Sequence, residues 1–360
     1  MTQAAILAAS GSPGTTTGFK NRIINGGMTV NQRAWTSTSI AQGSTYTVDR
    51  WWTYSRLVGS KYSIAQSTSA PTGFINSLLV TSSSAYSVAA GDIFYVSQLI
   101  EGLNIADLAW GTANAKTITL SFWVNSSLTG TFGGALQNND SNYNYPFSYT
   151  ISTANTWQQV SITIPGPTSG SWLTTNSCGI QILISLGAGS TYGNGTAGAW
   201  TTSNYVSVTG AVSVVGTSGA TWAITGAQLE VGTTATNFDF RSYGTELALC
   251  QRYYIRYANG TGQRLGVGDR YATTFIQCMT FFPTEMRTAP TLVATTGSGY
   301  YIFYQGGVAH TFNSFTLDSG GTTSKIAVMY NSGDTSGTVG QCGMYQTNNA
   351  SGSVAFNAEL

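Results

Sequence analysis

Apolar and polar residues alternate with a period of two along most of this chain, and this limits what it can fold into. Apolar side chains stand at every second position in residues 118–124: Ile118, Leu120, Phe122 and Val124. Successive residues of a strand point to opposite faces, so such a segment buries one face in a core. The same pattern predicts strands at residues 160–164, 180–186, 205–208, 212–215 and 227–231, and later at 271–282, 300–304 and 326–330.

Turn signals separate many of these predicted strands. Pro165-Gly166 and Asn194-Gly195 are two examples, because proline presets φ and glycine or asparagine tolerates positive φ. The 43 glycines, together with many serine, threonine and asparagine residues, favour turns and disfavour helix interiors. Many short strands with frequent turns are typical of a sandwich or jelly roll.

One segment has helical periodicity. In residues 246–254, Leu247, Cys250 and Tyr254 recur at a spacing that places them on one helix face, and either Ser242 or Thr245 can cap the start. We expect this face to pack where two β domains meet.

The fold class predicted from these patterns is all-β, with a jelly-roll β-sandwich followed by a short helix and a second, smaller β-sandwich domain. The predicted parts are an N-terminal attachment arm of small residues at 1–18, a jelly-roll domain at 19–243, a helical connector at 244–256 and a C-terminal β domain at 257–360.

The charge balance excludes several partners. Only 8% of the residues are charged, against roughly 25% in ordinary domains, and Lys+Arg 14 nearly balance Asp+Glu 13. No basic patch attracts nucleic acid or anionic lipid. No run approaches the roughly eighteen apolar residues of a membrane span, so we expect no membrane insertion and, without a convincing secretory signal, synthesis in the cytoplasm.

Residues that carry catalysis or bind metals are sparse. The four cysteines lack metal-binding spacing and are expected to be buried thiols, and His310 is the single histidine. No serine elbow or phosphate loop occurs, and the carboxylates stand in contexts typical of ion pairs and helix caps. We therefore expect no enzymatic activity, no cofactor and no metal ligand set; a calcium ion held by backbone carbonyls stays open.

The many aromatic residues, which include nine tryptophans and twenty tyrosines, indicate a binding function more clearly than the charged residues do. Flat rings with polar tips stack on sugars while amides bind the sugar hydroxyls. Two segments predicted to be loops combine both features, and their candidate glycan-binding residues are Asn142, Tyr143, Tyr145, Tyr192 and Asn194. Packing in the core or between subunits is the alternative role for these rings. Either Trp51 or Trp52 must point inward if their segment is a strand.

Several longer stretches resemble one family as a set. They are Asn21-Arg22-Ile23-Ile24-Asn25-Gly26-Gly27-Met28, Val48-Asp49-Arg50-Trp51, Trp157-Gln158-Gln159-Val160, Ile224-Thr225-Gly226-Ala227-Gln228-Leu229-Glu230-Val231-Gly232 and Glu246-Leu247-Ala248-Leu249-Cys250-Gln251-Arg252-Tyr253-Tyr254. They are similar to β-sandwich domains of bacteriophage tail-fibre and other virion appendage proteins. The resemblance implies a jelly roll like that of carbohydrate-binding modules, a short helix, a C-terminal β domain and a homotrimer on the virion, and it carries no catalytic residue.

These observations lead to one expected function and two alternatives. The expectation is a phage virion protein, a short trimeric tail fibre or spike, whose jelly roll binds host cell-surface polysaccharide and whose arm binds other virion proteins. The first alternative is a capsid-decorating or tail adaptor protein with a purely structural role. The second alternative is a polysaccharide depolymerase. Such an enzyme would need a carboxylate cluster that is not evident in the sequence.

Overall fold

Antiparallel strands make up most of the regular structure in the computed structural model, which describes residues 20–360. The predicted arm, residues 1–18, lies outside these residues. The first twelve strands are β1 Thr38–Ser39, β2 Gly43–Tyr46, β3 Trp51–Arg56, β4 Tyr62–Ser67, β5 Ser77–Ser82, β6 Ile93–Glu101, β7 Ile118–Ser126, β8 Gly130–Gln137, β9 Asn144–Ile151, β10 Gln158–Ile164, β11 Cys178–Ala188 and β12 Thr221–Val231. Two 3-10 turns, Gly102–Asn104 and Ala106–Leu108, follow β6, and the short helix α1 Ser190–Gly193 follows β11.

These twelve strands form two six-stranded sheets. The first sheet has the order β1-β4-β5-β12-β7-β10, and the second has the order β2-β3-β6-β11-β8-β9. Aromatic contacts between the sheets show that they pack face to face: the rings of Tyr62 and Phe94 lie 6.1 Å apart, and those of Phe122 and Tyr149 lie 5.2 Å apart. A large buried apolar cluster fills the space between them. The predicted jelly-roll sandwich is therefore confirmed.

Two segments predicted to be strands are not strands. Residues 205–208 and 212–215 belong to the long connection from β11 to β12. Four of their valines, Val206, Val208, Val214 and Val215, are buried because the connection packs on the second sheet. It is held there by single hydrogen bonds, such as that from Val212 N to Thr131 O (2.8 Å), in place of a ladder. Burial of a connection produced an apolar pattern that also fits a strand.

The helix is present, but its limits differ from the prediction. Helix α2 spans Tyr243–Gln251, and the Ser242 hydroxyl caps it by accepting from Thr245 N at 3.4 Å. It ends before Tyr254 because that residue begins strand β13 and pairs with Asn357. The buried face of α2 contains Cys250, which packs together with Tyr253, Ile24 and Val30.

A second, smaller sandwich follows the helix. Its strands are β13 Tyr254–Asn259, β14 Arg264–Ala272, β15 Phe275–Phe281, β16 Thr291–Ala294, β17 Tyr301–Gln305, β18 Val308–Phe312, β19 Thr316–Leu317, β20 Ile326–Ser332, β21 Cys342–Thr347 and β22 Ser353–Asn357. They form a three-stranded sheet, β13-β22-β16, and a seven-stranded sheet, β18-β17-β21-β14-β15-β20-β19. The predicted long strand at 271–282 is the end of β14, a turn and β15. The all-β prediction is confirmed, while the domain limits 19–243, 244–256 and 257–360 stay predictions.

No helix among residues 20–360 has both the length and the apolar character needed to cross a membrane.

Candidate functional site

The strongest candidate site lies on the outer face of the second sheet. Strand β3 alternates between buried and half-buried residues, so Trp51 points into the core while Trp52, Tyr54 and Arg56 point outward. The sequence required one of the two tryptophans to point inward, and Trp51 is the one that does so. Strand β3 therefore presents two aromatic rings and one guanidinium on the same side of the sheet.

Strand pairing brings a third ring beside these two. Tyr54 lies directly opposite Tyr95 of β6, and their ring centroids are 5.5 Å apart. The Trp52 ring lies 6.3 Å from that of Tyr54 and meets Tyr95 edge-on at 5.6 Å. The three rings form a platform across two neighbouring strands, and cross-strand aromatic pairs of this kind hold each other in place.

The connection after β11 adds a fourth ring, Tyr192 in helix α1. Val206 N donates to Tyr192 O at 2.9 Å, which ties α1 to a later part of the same connection. The Arg56 guanidinium donates to the Tyr192 hydroxyl and lies 4.9 Å from the centre of its ring. We call Trp52, Tyr54, Tyr95 and Tyr192 the aromatic face.

A glycine allows this loop to approach the sheet. A Cβ atom on Gly189 would lie 1.9 Å from Ala89 O and 2.5 Å from Ala90 O, so no larger residue fits without moving the backbone. Gly189 immediately precedes α1 and its N–H donates to Asp92 O at 2.9 Å. The position of Tyr192 beside the other three rings of the aromatic face therefore depends on glycine, which has no side chain, at residue 189.

The aromatic face borders a cleft of about 400 Å³. Its lining combines aromatic rings, aliphatic groups, amides, hydroxyls and one guanidinium, from Tyr54, Arg56, Ile93, Tyr95, Gln137, Ser141, Tyr192, Asn204 and Val206. The Gln137 amide donates to the Asn204 side-chain oxygen at 2.9 Å and also to Tyr205 O at 3.2 Å, which fixes its orientation. Arg56 is the one charged side chain among these nine residues.

The aromatic face includes a protonated phenol, that of Tyr95, and a buried indole N–H, that of Trp52. Burial raises the pKa of the Tyr95 phenol, with smaller contributions from Tyr54 and Tyr62, so Tyr95 keeps its proton throughout the physiological range. The Trp52 indole N–H is buried, and no protein atom accepts a hydrogen bond from it. Rings beside oriented amides and hydroxyls can stack on an apolar sugar face and bind the hydroxyls at its edge.

The structure separates the residues predicted from the sequence. Tyr192 belongs to the aromatic face, and exposed Asn194, which follows α1, lines a smaller polar cleft of about 210 Å³ beside it. Asn142 is exposed in the loop after β8, where its side-chain oxygen accepts from the Asn138 amide at 2.7 Å. Tyr143 and Tyr145 lie elsewhere, in a separate aromatic cluster around Trp200.

That cluster packs one end of the first sandwich. Trp200 stacks on Tyr143 with ring centroids 5.5 Å apart and an angle of 8°, and it lies 5.2 Å from Tyr145. Its indole N–H is satisfied by Pro165 O at 2.8 Å, and the Trp172 indole N–H is satisfied by Ser169 O at 3.1 Å. Tyr145 is only 5% exposed and lies in β9, so the prediction of an accessible loop ring was wrong for it.

Sequence reasoning missed Tyr95 and did not select Trp52 and Tyr54 as binding residues. Two aromatic residues at the outward positions of β3 were a usable signal, because large rings seldom stand on the solvent side of a strand without a partner. The sequence contained no such signal for Tyr95, because β6 is buried along its whole length and its residues do not alternate between a buried and an exposed face.

Within residues 20–360, no group of three histidine, cysteine, aspartate or glutamate side chains is placed to hold a metal ion. The four cysteines are free thiols, and three of them are buried as expected. The expectation was wrong for Cys342, which is exposed at the start of β21. His310 lies in β18, away from the aromatic face.

Comparison with known proteins yields structural likenesses only. No protein-family model matches the chain, and no curated protein sequence matches it. Among solved structures, the enzymatically active domain of bacteriophage CBA120 tailspike protein 4 is 13% identical with a TM-score of 0.31, over 59% of this chain and 22% of that one. The chain therefore spans about a fifth of the tailspike domain.

Carbohydrate-binding modules are also among the similar structures. TmCBM61, solved with β-1,4-galactotriose, is 11% identical with a TM-score of 0.30, over 59% of this chain and 99% of that one. The family 11 module of a cellulosomal cellulase of Clostridium thermocellum is 11% identical with a TM-score of 0.26, over 57% and 99%. Similarity at this level assigns no ligand or activity to the present chain.

Proposed function

We propose that this protein binds neutral glycans of a host cell surface on its aromatic face, as part of a phage virion. The observation that carries the proposal is the set of four rings, Trp52, Tyr54, Tyr95 and Tyr192, beside a cleft lined by amides and hydroxyls. Such a surface has what a neutral sugar needs, namely planes for stacking and fixed donors and acceptors for hydroxyl groups.

In this proposal, aromatic rings stack on the sugar and polar side chains of the cleft bind its hydroxyl groups. The half-buried Tyr54 ring offers a stacking plane for a pyranose ring, and the buried Tyr95 ring, 5.5 Å away and 8% exposed, supports it from the neighbouring strand. Gln137, Asn204 and Ser141 also line the cleft and would bind hydroxyls of the same or the next sugar.

One such site binds weakly. A shallow cleft of this size is expected to hold an oligosaccharide with a Kd near 1 mM, about −4 kcal/mol, and stable adhesion would come from several copies acting together. The proposal therefore includes assembly as a homotrimer, with one cleft in each chain. The role is binding, with no catalytic step assigned to any residue.

The virion setting is supported by the sequence resemblance to phage tail-fibre and appendage proteins. The protein would be made in the host cytoplasm and reach a tail fibre or spike, with residues 1–18 contacting other virion proteins. A capsid-decorating or tail adaptor protein with a purely structural role is the competing proposal. It is favoured if the intact assembly binds no glycan.

Binding should be measured on an array of neutral bacterial oligosaccharides, followed by calorimetry with the best ligand. Trp52→Ala and Tyr54→Ala are expected to weaken binding at least tenfold, because each removes a stacking plane. Tyr243→Ala is the matched control, since Tyr243 is 62% exposed and lies at the start of α2, away from the cleft. We expect it to bind like the unmodified protein.

Two outcomes would overturn the proposal. One is an unmodified assembly that binds no oligosaccharide on the array, and the other is undiminished affinity in Trp52→Ala and Tyr54→Ala. A reducing-end assay on the bound oligosaccharide is expected to show no cleavage. New reducing ends would replace the binding role by a hydrolytic one.

A further inference from the structure

The seven-stranded sheet of the second sandwich has a second apolar face that nothing in the described chain covers. Strand pairing aligns one residue from each of five adjacent strands, in the order β17-β21-β14-β15-β20. These aligned residues, which we call the apolar row, are Tyr304, Met344, Val267, Met279 and Val328. Paired residues point to the same side of a sheet, so the row forms one continuous strip.

The apolar row is open to solvent in the single chain. Val267 is 64% exposed, Met344 is 45% exposed and Met279 is 42% exposed. The row is extended on the same side by Phe281 and Tyr271, which are 70% and 69% exposed. Residues of the opposite parity, such as Cys278 and Met329, fill the core between the two sheets. The seven-stranded sheet is therefore apolar on both sides, and only one side is covered.

Few charged side chains lie beside the apolar row. On one side is Arg264, whose guanidinium lies 5.9 Å from the centre of the Tyr304 ring. The neighbouring row on the other side contains Cys342, Asp269, Gln277 and Tyr330, aligned across β21, β14, β15 and β20. Asp269 is the one charged side chain in that row, and its carboxylate accepts from the Gln277 amide at 3.0 Å. The surface thus offers an apolar plane and few unpaired donors or acceptors. A polar ligand such as a sugar would find little to bind here.

The area of this face, polar residues included, is about two-thirds of one side of a standard protein interface. Five strands spaced about 4.8 Å apart, and the seven residues of β15 rising about 3.3 Å each, give a flat area of roughly 550 Å². The protruding side chains increase it further. The largest apolar patch of a typical monomer covers about 300–600 Å², and one partner of a standard interface contributes about 800 Å².

We propose that this face docks against the same face of other copies of this chain. A second copy supplies a sheet of the same size and the same low charge, with one Arg264 and one Asp269 beside its apolar row, and sheets of this kind pack face to face at about 10 Å. A charged partner would leave ions buried without counterions. In the homotrimer included in the proposed function, three such sheets would face one another around the threefold axis. The number of copies rests on that function; the docking face rests on the apolar row alone.

A cysteine in the neighbouring row makes the proposal testable without mutation. Cys342 is the exposed member of the four free cysteines, and it lies two residues from Met344 on the same side of β21. Burial raises the pKa of Cys178 and Cys278 to about 12, so these thiols stay unreactive in the folded chain. A maleimide therefore reports whether the docking face is covered.

The experiment measures mass by light scattering and the rate of maleimide labelling at Cys342, with the full chain at micromolar concentration. We expect an assembly larger than the 37.9 kDa chain. We also expect Cys342 to react at least tenfold more slowly in it than in Val267→Lys. That variant should be monomeric, with a circular dichroism spectrum like that of the unmodified protein. Val231→Lys is the matched control, because Val231 is 44% exposed at the end of a strand in the first sandwich.

Each result decides one part of the proposal. A monomeric unmodified chain would overturn both the docking face and the assembly. A trimer in which Cys342 reacts as fast as in Val267→Lys, or in which Val267→Lys leaves the mass unchanged, would overturn this face while leaving trimerisation intact. A dimer with a protected Cys342 would support the face and overturn the threefold arrangement. Met279→Lys provides a second monomer test should Val267→Lys fail to fold.

Discussion

Arg50 and Glu359, 309 positions apart in the sequence, form a buried ion pair between the start of β3 and the segment after β22. Their side chains are only 1% and 4% exposed. Arg33 adds a second contact to the Glu359 carboxylate at 3.2 Å, and the Arg50 guanidinium also lies 3.6 Å from the centre of the Tyr253 ring. Charges from both sandwiches therefore meet where water is excluded.

Removing this carboxylate should destabilise the fold. Glu359→Gln would leave Arg33 and Arg50 buried without their counterion, and we expect the free energy of unfolding to fall by about 3–5 kcal/mol. Urea denaturation followed by tryptophan fluorescence measures this loss. Glu285→Gln is the matched control, because Glu285 pairs with Lys325 in an exposed pair and should cost under about 1 kcal/mol. Equal losses in the two variants would contradict the structural role of Glu359.

A second buried carboxylate predicts a pH dependence. Burial by itself raises the pKa of Glu101, but hydrogen bonds from Arg252 (2.6 and 2.9 Å) and Tyr253 (2.6 Å) outweigh it and hold this pKa below 4.5. The folded state thus binds this proton more weakly than the unfolded state. The stability contributed by Glu101 is complete above about pH 4.5 and is lost as the pH falls through the lowered pKa.

Glu101→Gln tests this dependence. At pH 7 the free energy of unfolding of the variant should be about 2 kcal/mol lower than that of the unmodified protein, which is the contribution typical of hydrogen bonds to a charged group. The difference should shrink as the pH falls from 5 to 3, because the unmodified protein loses the same charge. Denaturant titrations at a series of pH values measure it. A difference in stability that stays constant down to pH 3 would contradict the prediction. It would mean either that Glu101 stays ionised at pH 3 or that its charge does not contribute to stability.

Alanine substitution should affect mainly stability for a tryptophan in the cluster around Trp200 and mainly glycan affinity for a tryptophan in the aromatic face. Trp172 is 9% exposed and packs edge-on against Trp110 at 4.7 Å, so Trp172→Ala is expected to lower the free energy of unfolding by about 3–5 kcal/mol. Its folded fraction should keep full glycan affinity. Trp52→Ala should lose affinity with a much smaller loss of stability. Calorimetric titration and thermal denaturation of both variants measure the two effects, and parallel losses would refute the division between packing and binding rings.

The close approach at Gly189 predicts a position that tolerates no side chain. Gly189→Ala places a methyl group against two backbone carbonyls, which should cost about 1–3 kcal/mol and displace the helix that carries Tyr192. Gly244→Ala is the control, because a Cβ atom there meets nothing within 4 Å and alanine suits the helix better by up to about 1 kcal/mol. Melting temperatures distinguish the two, and a neutral Gly189→Ala would show that the loop can move without loss.

The sequence by itself determined the local features of this protein. Period-two alternation located strands such as β7, β10 and β12, because the direction of each side chain follows from the strand backbone alone. It also required one of Trp51 and Trp52 to point inward, and Ser242 was one of its two predicted caps for α2. The same local signal misassigned residues 205–208 and 212–215, since a buried connection repeats apolar residues just as a strand does.

Only the tertiary structure decided which distant rings share a surface. Tyr54 meets Tyr95, and Tyr143 meets Trp200, through strand pairing and loop packing that depend on contacts between remote segments. Tyr143, Tyr145 and Tyr192 looked alike in sequence because each stands near an asparagine in a segment predicted to be a loop. The fold nevertheless stacks Tyr143 on Trp200, buries Tyr145 and places Tyr192 at a cleft. Register is set by hydrogen bonds between strands, and single-chain alternation contains no information about which strand lies beside which.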